Sequence, residues 1–293
     1  MDVLNIALVL MSAILHTYWN FELKKTIEKG AGSMLLYWMS SFVAMIFYLP
    51  FVILLVAYQD ITINFSDLLY PAICGFFMAL YMLFLSKAYK EGDMSKVYPL
   101  TRTTPLFTLV IGIFYLGEPV TIAGISGVLL ILAGMYFLHL KKLDFQHILR
   151  PVNSLFKNNA SRFAILTAFM TSLYGLMSKL GGQELNPFVF TYIAFSMAVF
   201  FYSPVLLFQN SSILSHFKYR VSMLKIGVLD LLGYSLIVFA LGSGNLSYIF
   251  ALRQVNILFS TLVGVYVLKE KYGKIRGIAS GILFIGVVLV SFS

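Results

Sequence analysis

The chain has 293 residues, of which 60% are hydrophobic and only 11% charged. A soluble domain is nearer half apolar and a quarter charged, so this chain lacks the polar surface to cover a water-soluble fold and must be solvated by lipid. Its net charge of +9 lies mostly in lysines between apolar runs, which points to membrane orientation rather than nucleic acid. Its single cysteine, Cys74, excludes an intrachain disulfide and a thiolate metal site.

Ten apolar segments follow in chain order, at 3–21, 34–58, 68–88, 98–116, 120–139, 162–180, 187–208, 222–242, 246–268 and 275–292. Most match the roughly 20 residues that cross a bilayer as a helix. They are too long and too uniformly apolar for the alternating strands of a barrel, and lipid tolerates no other spanning structure. The expected fold is therefore an all-α integral membrane protein of ten transmembrane helices. The opening MDVLNIAL has neither a basic stretch nor a following small-residue cleavage site, so it reads as a retained first span.

Cations orient these spans. Loops joining an odd span to the next even one hold Lys24, Lys25 and Lys29, then Lys87, Lys90 and Lys96. Further along, they hold Lys141, Lys142, Arg150, Lys157 and Arg162, then Lys218, Arg220 and Lys225, and finally Lys269, Lys271, Lys274 and Arg276. The opposite side has Lys179 alone. This bias places the basic loops in the cytoplasm and both termini outside.

Shifting the chain by 152 residues superposes 88–118 on 240–270 without gaps, with nine of 31 positions identical. The glycine, serine and glutamate matches, such as Gly92/Gly244, Ser95/Ser247 and Glu118/Glu270, are the informative ones. Near offsets of 154 and 155, Pro50 meets Pro204 and Lys24 meets Lys179. Each half then holds five spans, and an odd number turns the second half upside down. The loops agree. The loop between spans two and three carries Asp60 and Asp67, and its counterpart in the second half carries Lys218, Arg220 and Lys225. The expected organisation is two inverted five-helix repeats, at 1–140 and 162–293, joined by a basic cytoplasmic linker at 141–161. Such repeats typify transporters that alternate access around a central site.

The segment A-x-x-x-G-D-x-S-x-V-x-P-L, followed by G-E and then G-I-S-G-V-L-L-I-L-A-G, resembles the EamA family of the drug/metabolite transporter superfamily. The second copy, from A-x-G-S-G-N-L-S through L-K-E-K to G-I-A-S-G-I-L-F-I-G, resembles it too, as does the opening H-T-Y-W-N. The resemblance covers nearly the whole chain. It implies ten helices around a central cavity, export or exchange of small metabolites, and no catalytic residues. The second copy departs from the first in having Ala251 and Ile257 where the first has Pro99 and Pro105.

Charge inside a bilayer costs at least about 2.5–3.5 kcal/mol on insertion scales, so such groups face a cavity or a partner. Thr101, Thr104 and Thr108 share one helix face, and their repeat mates are Arg253, Asn256 and Ser260. These stripes either line a pathway or pack helices through small polar groups. Arg102 and Arg253 either meet an anionic substrate or snorkel to headgroups. Asp230 is the only acid well within a span, with Tyr234 one turn on as the counterpart of Tyr81. It balances an arginine, carries a coupling proton or holds a cationic group. Glu118 and Glu270 are expected to cap the helix that follows each. In the first span, His16 and Asn20 form a polar face that the repeat does not demand, since Thr171 and Gly175 replace them in TSLYGLMSK. The expected substrate set is therefore His16, Trp19, Asn20, Tyr81, Tyr98, Thr101, Arg102, Thr104, Asp230, Tyr234, Arg253, Asn256 and Ser260.

The function read from this pattern is a secondary transporter of a small polar metabolite, an amino acid or related carboxylate or zwitterion, by export or exchange. Coupling to a proton or another ion stays open, as does a monomer against a homodimer. Neither a cofactor nor a metal site is expected, and the expected location is the plasma (inner) membrane of a prokaryote. The alternatives are a flippase for an amphipathic lipid-linked substrate and, further off, a membrane-embedded enzyme. Against the latter, the four histidines are scattered and no H-E-x-x-H or G-x-S-x-G occurs.

Overall fold

An apolar segment in lipid must satisfy its backbone amides internally, and this chain does so by helix. The structure is a computed structural model and describes residues 1–92, 100–138, 158–207, 216–259 and 274–293, among which no strand occurs. In chain order the helices are α1 (Val3–Glu28), α2 (Ser33–Tyr58), α3 (Leu69–Glu91), α4 (Thr104–Phe114) and α5 (Ile122–Leu138). The second half holds α6 (Asn159–Glu184), α7 (Pro187–Leu207), α8 (Arg220–Ser243), α9 (Leu246–Leu252) and α10 (Lys274–Ser291). Six of them, α1, α2, α3, α6, α7 and α8, are long and apolar enough to cross a membrane, and the other four belong to shorter apolar segments.

The first helix outruns its apolar segment. Sequence places its end near residue 21, yet it continues to Glu28 and carries Lys24 and Lys25 on its surface. Glutamate and lysine are good helix formers, so leaving the apolar layer does not stop the helix. Gly30 does, by adopting φ +92, a left-handed conformation that side chains disfavour. The Gly30 amide donates to the Ile27 carbonyl at 2.8 Å and the Ala31 amide to the Thr26 carbonyl at 3.4 Å. Those two bonds satisfy carbonyls that the helix end would otherwise orphan.

The most extensive helix contacts all cross between the halves: α3 with α6 and α7, α1 and α2 with α8, α2 with α7, α4 with α9, and α5 with α10. Advancing every label by five turns α3–α6 into α8–α1 and α3–α7 into α8–α2, and maps the last three pairs onto themselves. Glycines show the same exchange in atomic detail. A Cβ on Gly75 of α3 would lie 2.6 Å from the Ala194 carbonyl of α7, and one on its mate Gly227 of α8 would strike the Ser40 carbonyl of α2. A Cβ on Gly134 of α5 would lie 2.6 Å from the Leu283 amide nitrogen of α10, and one on Gly286 would lie 2.8 Å from the Ile131 amide nitrogen. Each glycine lets two backbones approach, as helix packing in lipid requires.

The buried core, with Ile131, Phe190, Leu231, Ile237, Leu241, Ile249 and Phe250, joins both halves into one cluster. Outside it, Phe51, Leu54 and Phe200 are each about two-thirds exposed, at 67%, 68% and 69%, on faces that suit lipid rather than water. Gly227→Ala is expected to lower the melting temperature in detergent, since overpacking costs about 1–3 kcal/mol. Gly242→Ala, whose Cβ meets open space, is expected to leave that temperature unchanged or higher.

Candidate functional site

The fourth helix of each half loses α-helical regularity at the same repeat position. In the first half, residues 100–101 are helical, Arg102 and Thr103 interrupt the helix, and α4 restarts at Thr104 with Pro105 in its first turn. In the second half, α9 tightens into a 3₁₀ turn at Arg253–Val255 and then continues as helix. Proline is thus a device of one half, whereas the interruption belongs to both. A 3₁₀ turn has three residues per turn, so side chains three apart eclipse. This sets Arg253 and Asn256 on the same side of the turn.

Around that turn, five other helices converge. Asp230 of α8 accepts a hydrogen bond from the Tyr37 hydroxyl of α2 at 2.7 Å. One turn along α8, the Tyr234 hydroxyl lies 2.8 Å from the Ser178 hydroxyl of α6, and the Arg253 guanidinium sits 5.3 Å over the Tyr234 ring. Tyr174 of α6 stands between Tyr81 of α3 and Tyr234, at ring separations of 5.9 and 5.8 Å. On α1, Trp19 packs its ring 4.9 Å from His16 and 6.0 Å from Tyr37. The result is an aromatic wall holding one acid and one guanidinium, as ligand sites commonly are built.

Arg253 meets this wall at the Tyr234 ring, one turn along α8 from Asp230. Asp230 is thus held by a tyrosine, with a guanidinium near but not bonded to it. Three buried polar atoms lack a hydrogen-bond partner here: His16 Nδ1, Gln254 Oε1 and Asn256 Oδ1. Buried polar groups are normally paired, so unmet capacity beside the half-buried Arg253 is what a polar ligand would fill. The Asn256 backbone carbonyl does accept, from the Thr17 hydroxyl at 3.3 Å, which docks α1 onto the 3₁₀ turn beside His16.

Other residues named from sequence sit differently. The Asn20 amide donates to the His16 carbonyl of its own helix at 2.7 Å. Thr104 donates to the Ala168 carbonyl of α6 at 3.4 Å, and Thr108, fully buried, donates to carbonyls of its own first turn. Thr101 is buried and Arg102 half-buried. Tyr98 and Ser260 lie outside the described residues. Tyr37, Tyr174 and Gln254 join the site without having been singled out. For Tyr174 a signal existed: the alignment that pairs Lys24 with Lys179 also pairs Trp19 with Tyr174. Among the described residues, no group of three or more His, Cys, Asp or Glu could hold a metal ion.

Glu118 corrects a sequence expectation. It does not cap α5, the helix that follows it. Its Oε1 accepts from the Leu246 amide at 2.7 Å and its Oε2 from the Ser247 amide at 3.5 Å, so it caps α9 in the other half. Packing of α4 on α9 brings that N-terminus to the turn after α4, and the missing side chain of Gly112 leaves room for the carboxylate. The Lys179 ammonium pairs with the same carboxylate at 2.8 Å. Its repeat mate Glu270 lies outside the described residues.

Apolar helices with lipid-suited faces, enclosing a polar and aromatic centre, define a multi-pass integral membrane protein. The chain belongs to the EamA-like transporter family, whose model matches residues 3–140 and 160–292. It is also similar to a solved structure titled only as a crystal structure of a protein, with a TM-score of 0.76 at 15% identity, covering 100% of this chain and 98% of that one. At that identity the likeness shows the fold alone. No curated protein matches the sequence.

Proposed function

We propose that this chain is a secondary transporter that moves a small polar metabolite by alternating access of two inverted five-helix repeats. The observation that carries the reading is the exchanged packing, Gly75 on α7 against Gly227 on α2, and Gly134 on Leu283 against Gly286 on Ile131. Two halves that grip each other through equivalent contacts can exchange their roles, which is the structural requirement for opening to either face around a fixed site.

The substrate class we favour is a carboxylate or zwitterion, with amino acids the first to try. Arg253, stacked on Tyr234, offers a cation for a carboxylate. The unpaired His16 Nδ1 and Asn256 side chain lie within reach of the same turn, and Asp230 offers a counter-charge for an ammonium. Tyr81, Tyr174 and Trp19 supply apolar walls. Thr104 drops out of this set, because its hydroxyl already serves a backbone carbonyl.

The test is uptake and efflux in proteoliposomes against a metabolite panel, with and without a pH gradient. Saturable exchange of one carboxylate or zwitterionic solute is expected. Movement of amphipathic lipids with no solute flux would favour a flippase instead and overturn the reading.

A further inference from the structure

One end of the bundle carries both chain termini, with the Met1 ammonium donating to the Ser291 carbonyl at 3.4 Å. At that end the halves are tied through a single carboxylate. Glu118 accepts the Leu246 and Ser247 amides and the Lys179 ammonium, and Lys179 donates again to the Gly244 carbonyl at 2.8 Å. Around it, Asn245 donates to the Pro119 carbonyl at 2.7 Å, the Thr121 amide to the Tyr248 hydroxyl at 2.8 Å, and Asn5 to the Ser243 hydroxyl at 3.1 Å. The turn after α4, the outer third of α6 and the turn between α8 and α9 are thereby fastened together.

This pair is nearly dry, with side-chain exposures of 13% for Lys179 and 5% for Glu118. Desolvation often cancels the Coulomb gain of such a pair, so its presence argues weakly for stability and better for a state-specific role. The repeat supplies the contrast. Lys24 is the counterpart of Lys179 at the opposite end, and it is exposed. One end is latched through its lysine while the homologous lysine at the other is not. The cap also governs the site, because α9 is only seven residues long and runs straight into Arg253 and Asn256.

We propose that the Glu118–Lys179 pair is the lock that shuts the pathway at the end carrying the chain termini. Its release frees the N-terminus of α9 and moves Arg253 and Asn256 with it, so closure and substrate contact are set together. The inference rests on the alternating-access reading, but its test needs no substrate.

In a Cys74→Ser chain, a Thr171→Cys reporter sits two turns inside Lys179 on α6. Its reaction with a membrane-impermeant maleimide is timed from each face, in sealed vesicles of both orientations. Lys179→Met and Glu118→Gln are expected to speed modification from the termini face about tenfold, as a minor open state becomes common. Lys179→Arg, which keeps the charge pair, is expected to stay near the parent rate. Parent rates in both Lys179→Met and Glu118→Gln overturn the lock, as does Lys179→Arg reacting as fast as Lys179→Met. If one disrupting variant fails to insert, the other decides. A parent reporter that reacts from neither face overturns alternating access itself, and the lock with it.

Discussion

Arg253→Ala is expected to reduce transport of the cognate solute roughly 100-fold, the loss that follows from removing about 3 kcal/mol of charge-assisted recognition. The guanidinium is held by geometry that a smaller cation cannot copy. It sits over the Tyr234 ring, and the 3₁₀ turn sets it on the same side as Asn256. Lysine keeps the charge but loses the planar fork and its stacking, so Arg253→Lys is expected to recover only a small part of the flux. Initial-rate uptake in proteoliposomes, normalised to inserted protein, measures both. Near-parent uptake by Arg253→Ala would remove this arginine from the site.

Asp230→Asn is expected to have the second largest effect, a fall of about 10- to 100-fold for a solute bearing an ammonium. Asparagine is isosteric and still accepts from the Tyr37 hydroxyl, so the α2–α8 contact survives and only the charge is lost. Tyr37→Phe removes the single hydrogen bond that orients the carboxylate, with an expected fall of about 5- to 10-fold. Because the two groups bond each other, the double variant is expected to be no worse than Asp230→Asn alone. A full product of the two single effects would mean that they act separately. A solute without an ammonium should be far less sensitive to either change, which separates recognition from general damage.

The positions of the helices were largely legible, because a bilayer imposes one length and one polarity on every crossing. Where the bilayer exerts no control, sequence was a poorer guide. Nothing in Glu22, Lys24 or Glu28 says stop, so the extension of α1 became visible only when Gly30 took its left-handed turn. Glu118 was read as a local cap because sequence shows neighbours along the chain, while its partners Leu246 and Lys179 come from the other half. The tyrosines were obscured by numbers. With 27 Phe and 18 Tyr in the chain, no single ring stands out as part of a site. The intramembrane charges were different, since their cost in lipid marks them individually, and both Asp230 and Arg253 lie where that cost is offset by specific partners.

The exchanged glycine contacts also constrain how the protein is made. Gly134 of α5 has its groove filled by Leu283 of α10, and that residue is synthesised about 150 positions later. At common elongation rates of about 5–20 residues per second, α5 waits roughly 7 to 30 s in the bilayer with lipid in place of its partner. The first five helices must therefore insert without finishing their packing. A ribosome stalled near the midpoint would leave a membrane-resident half-protein with open grooves, ready for quality-control proteases or for a stray second half.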